Sequence, residues 1–127
     1  MPEWPVTIAI EACRYWNETG IPLELGGFYA FTAEGIWRDL RNACPPEGIE
    51  SPSLFLRATE GVRRAPAERW FTLMGAIGKD RRSIFRIGAG TRWQAPRDGS
   101  LCCFANDVPG FYFNNSGSVR LTVRREA

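Results

Sequence analysis

The stretch "SLCCFANDVPGFYFNNSGSVRLTVR", Ser100 to Arg124, holds two strand-like runs joined by a loop crowded with polar oxygens. On the far side "SVRLTVR" alternates apolar and polar residues with the period of two that marks a strand with one face buried. On the near side "SLCCFA" is a short apolar run of strand length. Between them lie Asn106, Asp107, Asn114 and Asn115, around a Pro109-Gly110 turn. Turns favour Asn, Asp, Pro and Gly for their own backbone reasons, and that is the plain account of the loop. The alternative is a site for a hard cation, which takes six to eight oxygen ligands from carboxylates, amides, backbone carbonyls and water.

The same period recurs outward from this stretch. "VTIAIEA" places Val6, Ile8 and Ile10 on one face, "IPLEL" places Ile21, Leu23 and Leu25 together, and "GFYAFTA" offers Tyr29, Phe31 and Ala33. "SLFLR", "WFTLMGAI" and "SIFRIG" complete a set of about eight short strands. The segments "NETG", "LGG", "CPPEG", "APRDG" and "NNSG" read as the turns between them. The stretch "TEGVRRAPAERW" has room for one short helical turn, which Pro66 limits. Many short strands with regular turns predict an all-β, antiparallel β-sandwich. With 127 residues, and no linker or repeat, residues 1–127 read as one domain.

Composition narrows the function. The chain is 44% hydrophobic and 24% charged, ordinary for a globular protein. Sixteen basic against 14 acidic residues give no argument for nucleic acid as partner. The basic groups "VRRAPAER" and "KDRR" read as solvated loops and sheet faces. No apolar run approaches a membrane span, so no membrane insertion is expected. The N-terminus lacks the pattern of a Sec signal, so cytoplasmic synthesis is expected, with non-classical release to the cell surface or exterior left open. The absence of histidine removes Ser-His-Asp and Cys-His catalysis and the common zinc sites. No paired carboxylates stand out for glycoside hydrolysis, so no enzyme is expected. Cys13, Cys44, Cys102 and Cys103 include no CxxC. Cys102 and Cys103 are adjacent in a strand and should point to opposite faces as buried free thiols, while a Cys13–Cys44 bridge stays open. The scattered Trp4, Trp16, Trp37, Trp70 and Trp93 read as core or rim residues.

In the loop, Asp107 can give one or two oxygens to Ca²⁺, and Asn114 and Asn115 one each. Successive side chains point apart in an ideal strand, so both amides reach one ion only where the backbone is irregular. One carboxylate and two amides leave Ca²⁺ under-neutralised unless another acid joins.

"FANDVPGFYFNNSGSVRLTV", Phe104 to Val123, closely resembles the calcium-site region of the PA-I type (LecA-like) bacterial galactophilic lectins, which carry an "NDVPG-x-Y-x-NNSGS" signature. "TRWQAPRDGSLCC" looks like the family's "RW-x-AP" strand and turn, and "GGFYAFTAEGIWRD" is similar in spacing to its early strand. The middle, residues 41–70, matches poorly. The resemblance implies a jelly-roll-like (galactose-binding-domain-like) β-sandwich, one Ca²⁺ per subunit, and a galactose-type sugar or glycoconjugate that ligates the metal through two hydroxyls. It also implies a homo-oligomer, dimer or tetramer.

Residue by residue, Asp107, Asn114 and Asn115 fall on side-chain calcium ligands. Phe111 falls on a backbone-carbonyl ligand whose position bears threonine in the family. Asp39 falls on the other carbonyl ligand, where the family has tyrosine, so an acid here offers its carbonyl or its carboxylate. Asp107, Asn114, Val108, Phe111 and Asp39 fall around the sugar. The family's histidine and glutamine grip has no counterpart, and the nearest polar residues in "PPEGIESPS" are Glu47, Glu50 and Ser51. The remaining alternative is a structural or interaction module in which Ca²⁺ only ties loops together.

Overall fold

A computed structural model describes residues 2–50, 57 and 60–126. Among the described residues are ten strands: β1 (Val6–Glu11), β2 (Asn17–Leu23), β3 (Phe28–Glu34), β4 (Trp37–Asp39), β5 (Asn42–Cys44), β6 (Leu73–Ile77), β7 (Phe85–Arg86), β8 (Gly90–Gln94), β9 (Gly99–Ala105) and β10 (Asn115–Arg125). They form two antiparallel sheets. One runs β5-β4-β10-β3-β8, with β1 also paired to β10; the other runs β2-β9-β6-β7. This is the expected all-β sandwich. The strand "SLFLR" lies outside the described residues except for Arg57. The hairpin β4–β5 and strand β8 were not separate elements in the periodicity reading: β4 and β5, three residues each, give too short a pattern, and no residue of β8 is fully buried.

Alternation explains most of the packing. In β3, Tyr29 and Phe31 turn inward, and in β10 Val119, Leu121 and Val123 do the same. They meet Leu73, Ile77, Leu101, Cys103 and Ala105 of the facing sheet in one core cluster. Burial of each large aliphatic or aromatic side chain contributes about 1.5–3 kcal/mol, which makes this cluster the main source of stability. By contrast β6 is buried on both faces. On the outer face of that sheet Phe104 is covered by Trp16, with ring centroids 5.4 Å apart, and by the Arg64 guanidinium 3.5 Å from the ring centre. Cys102 and Cys103 are both buried, but only Cys103 joins the core cluster, as opposite faces require.

Three sequence expectations need correction. "NETG" is not a turn: it opens β2, and the register shifts between Glu18 and Pro22, so a bulge absorbs Gly20 at φ +74°. "NNSG" likewise straddles a short 3-10 turn and the start of β10. Leu25 does not share the face of Ile21 and Leu23; β2 ends at Leu23 and Leu25 is exposed. The expected helical turn in "TEGVRRAPAERW" is a 3-10 turn at Glu60–Val62. All four cysteines are free thiols, with Cys13 exposed and Cys44 buried.

Candidate metal centre

Strand β10 begins where the polar loop ends, and its first three residues pair with β4. The register sets Asn115 opposite Asp39 and Gly117 opposite Trp37. Directly opposed residues project to the same face. Trp37 and Asp39 are buried while Arg38 between them is exposed, so Asp39 is carried inward by strand geometry. Gly117 has φ +80°, and a Cβ there would come within 3.3 Å of the Trp37 Cα, so this close approach suits glycine. The β4–β5 hairpin turns at Leu40, which holds φ +53° and donates its N–H to the Asn114 carbonyl at 3.1 Å. That left-handed conformation is uncommon for a branched residue, and the Asn114 contact helps hold it.

Asp107 arrives from the other side, just past the end of β9. It is 3% exposed. Its Oδ1 accepts the Val108 N–H at 2.7 Å and its Oδ2 accepts the Asn115 Nδ2–H at 3.0 Å. Asn115 also donates Nδ2–H to the Ala12 carbonyl at 3.1 Å. Both amide hydrogens are thus engaged by oxygens, which fixes the amide orientation and leaves Oδ1 as its unengaged end. That Oδ1 is buried without a hydrogen-bond partner, and so is the Oδ1 of Asn114. Asn114 closes the 3-10 turn Tyr112–Asn114 and Asn115 starts the extended strand. The irregular backbone expected from the adjacent asparagines is therefore present.

The electrostatics are those of a site short of positive charge. Burial pushes the Asp107 carboxyl up from 3.8 to about 6; its hydrogen bonds from Val108 and Asn115 oppose the shift and the charge of Asp39 adds to it. Burial also raises Asp39. Neither acid joins an ion pair among the described residues. Burial pushes the nearby Cys44 thiol up to about 11, with Asp39 and Asp107 contributing. Two buried carboxylates and two buried orphan amide oxygens are a donor set for a hard divalent cation. Asp39 supplies the second negative charge that the loop alone lacks. Among the described residues no three of His, Cys, Asp and Glu cluster, so the set depends on amide oxygens.

The structure thus brings Asp39, Asp107 and Asn115 together, with Asn114 next to Asn115 in the chain and its Oδ1 buried. Val108 and Phe111 flank them, with the Phe111 N–H donating to the Val108 carbonyl at 3.1 Å. Neither Glu47 nor Glu50 pairs with the centre residues. The Glu47 carbonyl accepts the Thr72 hydroxyl at 3.1 Å and its side chain is exposed. Glu50 faces Arg69 at 3.8 Å and lines a cavity of about 550 Å³ that includes none of the four centre residues. Ser51 lies outside the described residues.

Asn106 has a role that composition did not reveal. It is fully buried, accepts the Ala65 N–H, and donates to the carbonyls of Ala65 and Arg69 at 2.9 Å and Glu68 at 3.2 Å. It is a staple for the segment 65–69, not a ligand donor. Next to it, the Arg64 N–H donates to the Asp107 carbonyl at 3.0 Å. The Arg64 guanidinium packs over Tyr15 at 3.6 Å and bonds the Tyr112 hydroxyl at 3.1 Å. The backbone on both sides of Asp107 is thereby tied to buried groups. The four carbonyls and N–H groups that engage Asn106 come from about 40 residues away in sequence, and no local pattern signals them.

No family model matches the chain, and no curated protein does. Among solved structures the chain is similar to the EclA N-terminal domain, described as a PllA-like lectin, with a TM-score of 0.73 and 22% identity over 96% of this chain and 98% of that one. Identity this low carries the fold and not the site: the chain shares its β-sandwich with a lectin domain over nearly its whole length.

Proposed function

We propose that this protein is a calcium-dependent carbohydrate-binding protein that takes galactose or a related sugar. The observation that carries the reading is the buried Asp107–Asn115 pair, with Asp39 opposite Asn115 in the strand register and the side-chain oxygens of Asn114 and Asn115 left without partners. Buried polar groups are paired in folded proteins, so two orphan oxygens beside two carboxylates call for a cation. Asp39, Asp107, Asn114 and Asn115 would hold Ca²⁺ by side chains, with the Phe111 carbonyl a further donor. When bound, Ca²⁺ supplies a hard centre for two neighbouring sugar hydroxyls. Around it, Asp107 and Asn114 have acceptor and donor groups to orient those hydroxyls, and Val108 and Phe111 form an apolar edge. The lectin fold of the neighbour supports the carbohydrate class, and the sequence resemblance supports a galactose-type 3,4-diol and assembly as a dimer or tetramer.

A second reading is favoured by one observation: Glu50 faces Arg69 and lines a cavity apart from the four centre residues, so it does not supply the missing grip. Losing one neutral hydrogen bond costs about 0.5–1.5 kcal/mol, up to roughly tenfold in affinity. The expected outcome is weak, calcium-dependent binding. Titration of galactose, glucose, mannose and fucose at millimolar concentration, in calcium and in EDTA, decides between the readings. Binding of galactose only in calcium supports the lectin. Calcium binding with no sugar bound leaves a loop-stabilising role.

A further inference from the structure

The two basic segments of the sequence are not separate solvated faces. Arg63 and Arg64, from one, and Lys79, Arg81 and Arg82, from the other, line a single cleft of about 1050 Å³, and Asp80 is the one acid among its lining residues. Positive charge on this one surface exceeds the net +2 of the whole chain. A concave, single-signed surface focuses its field and favours an oppositely charged ligand.

The charge on the Arg81–Ser83 turn is not used up internally, whereas Arg63 bonds the Pro66 carbonyl at 2.7 Å. Asp80 is committed to the fold, its Oδ1 accepting the Arg82 N–H at 2.9 Å and its Oδ2 pairing with Arg97 at 2.7 Å. Lys79 meets Glu18 only at 3.7 Å between exposed side chains. Arg64 is fixed by its aromatic contacts with Phe104 and Tyr15. Arg81 and Arg82 are exposed and join no ion pair among the described residues. They sit on the short 3-10 turn Arg81–Ser83, capped by Asp80.

Two further features indicate the ligand class. Tyr15, 39% exposed, lines the same cleft with the Arg64 guanidinium packed over its ring. Pro109 also lines the cleft, and it lies in the loop between Asp107 and Phe111. The basic cleft therefore borders the candidate sugar loop at Pro109, while Arg81 and Arg82 lie toward the Ile77–Leu101 end of the sheet, within reach of a sugar several units along an oligosaccharide. Its volume is that of a small-molecule site rather than of an extended nucleic-acid face.

We infer that this cleft is an anion subsite for acidic saccharide, in which Arg81 and Arg82 pair with a sulfate or carboxylate on a sugar linked to the one held at the calcium loop. The class of ligand rests on the carbohydrate reading above; the anion preference of the cleft does not. A sulfated galacto-tetrasaccharide and its desulfated twin, titrated into the full chain in calcium at low salt, test it. Wild type is expected to bind the sulfated form roughly tenfold tighter. The advantage should shrink as salt rises toward a Debye length of about 8 Å.

The double charge reversal R81E/R82E should erase the advantage and leave the desulfated sugar bound as before; R81Q/R82Q, which keeps the Asp80 cap on the Arg82 backbone N–H, should lose most of it. Equal affinity for the two sugars, or an advantage that survives R81E/R82E, overturns the subsite. If the desulfated sugar fails to bind, the galactose reading fails, while a salt-sensitive, Arg81/Arg82-dependent response to the sulfated form would still support the cleft. A 12-base-pair DNA duplex or phosphatidylserine vesicles binding more tightly than the sulfated sugar would overturn the assignment to saccharide.

Discussion

Replacing Asp107 with asparagine keeps the side chain's shape and removes its charge. In the calcium-free protein two effects oppose one another. The carboxylate accepts from both Val108 and Asn115, and an amide can accept only one of these bonds, a loss of about 1.5–3 kcal/mol for a charged acceptor. Against that, burial has raised the carboxyl from 3.8 to about 6, so its ionised form is disfavoured in the folded state at pH 7.5 and removing the charge relieves the strain. The calcium-free midpoint should therefore move by no more than about 5 °C. Calcium separates the two proteins. At a concentration 100 times its dissociation constant it should stabilise wild type by about 2.7 kcal/mol, or about 10 °C for a chain of this size.

Asp107→Asn should lose nearly all of that increment. Differential scanning calorimetry in EDTA and in calcium reads both numbers. An equal calcium increment in the two proteins, or none in wild type, refutes the reasoning. The pH profile adds a sign. A carboxyl raised in the folded state contributes stability that is full below 3.8 and lost as pH rises through about 6, so calcium-free wild type should weaken across that window and Asp107→Asn should weaken less, the raised Asp39 keeping a residual part. Calcium competes with the proton, so its affinity should fall up to tenfold per pH unit below about 6.

Asn115→Ala removes both the Ala12 and the Asp107 bonds, so it should cost about 1–3 kcal/mol without calcium and weaken calcium as well, read by the same calorimetry. Asn106→Ala should destabilise by about 1–3 kcal/mol, because it leaves part-buried carbonyls and an N–H unpaired, and should raise protease sensitivity within segment 65–69. Thiol titration should count four free cysteines under denaturing, non-reducing conditions. In the native protein only exposed Cys13 should react quickly, because burial pushes the Cys44 and Cys103 thiols up.

The sandwich was legible because period-two alternation survives wherever one face of a strand is buried, as in Tyr29 and Phe31 or Val119, Leu121 and Val123. Strand β6, buried on both faces, was legible instead as the apolar run in "WFTLMGAI"; the reading failed where a bulge hides a glycine inside β2. The cluster Asp107, Asn114 and Asn115 was visible because its members are close in the chain. Placing the Asp39 carboxylate there needed the β4–β10 register, which sets it opposite Asn115 across a large sequence gap. The Asn106 staple and the meeting of Arg63 with Arg81 across one cleft depend on long-range packing of loops, for which no local spacing is diagnostic.

The central claim is that Asp39, Asp107, Asn114 and Asn115 bind one calcium ion. A crystal structure of the protein grown in calcium, with anomalous differences recorded, tests it most directly. The account predicts one strong peak with oxygens of Asp107, Asn114 and Asn115 at about 2.3–2.6 Å, and an Asp39 oxygen within the same shell. No peak there, at a calcium concentration that saturates any thermal response, or a strong peak elsewhere on the chain, would contradict it.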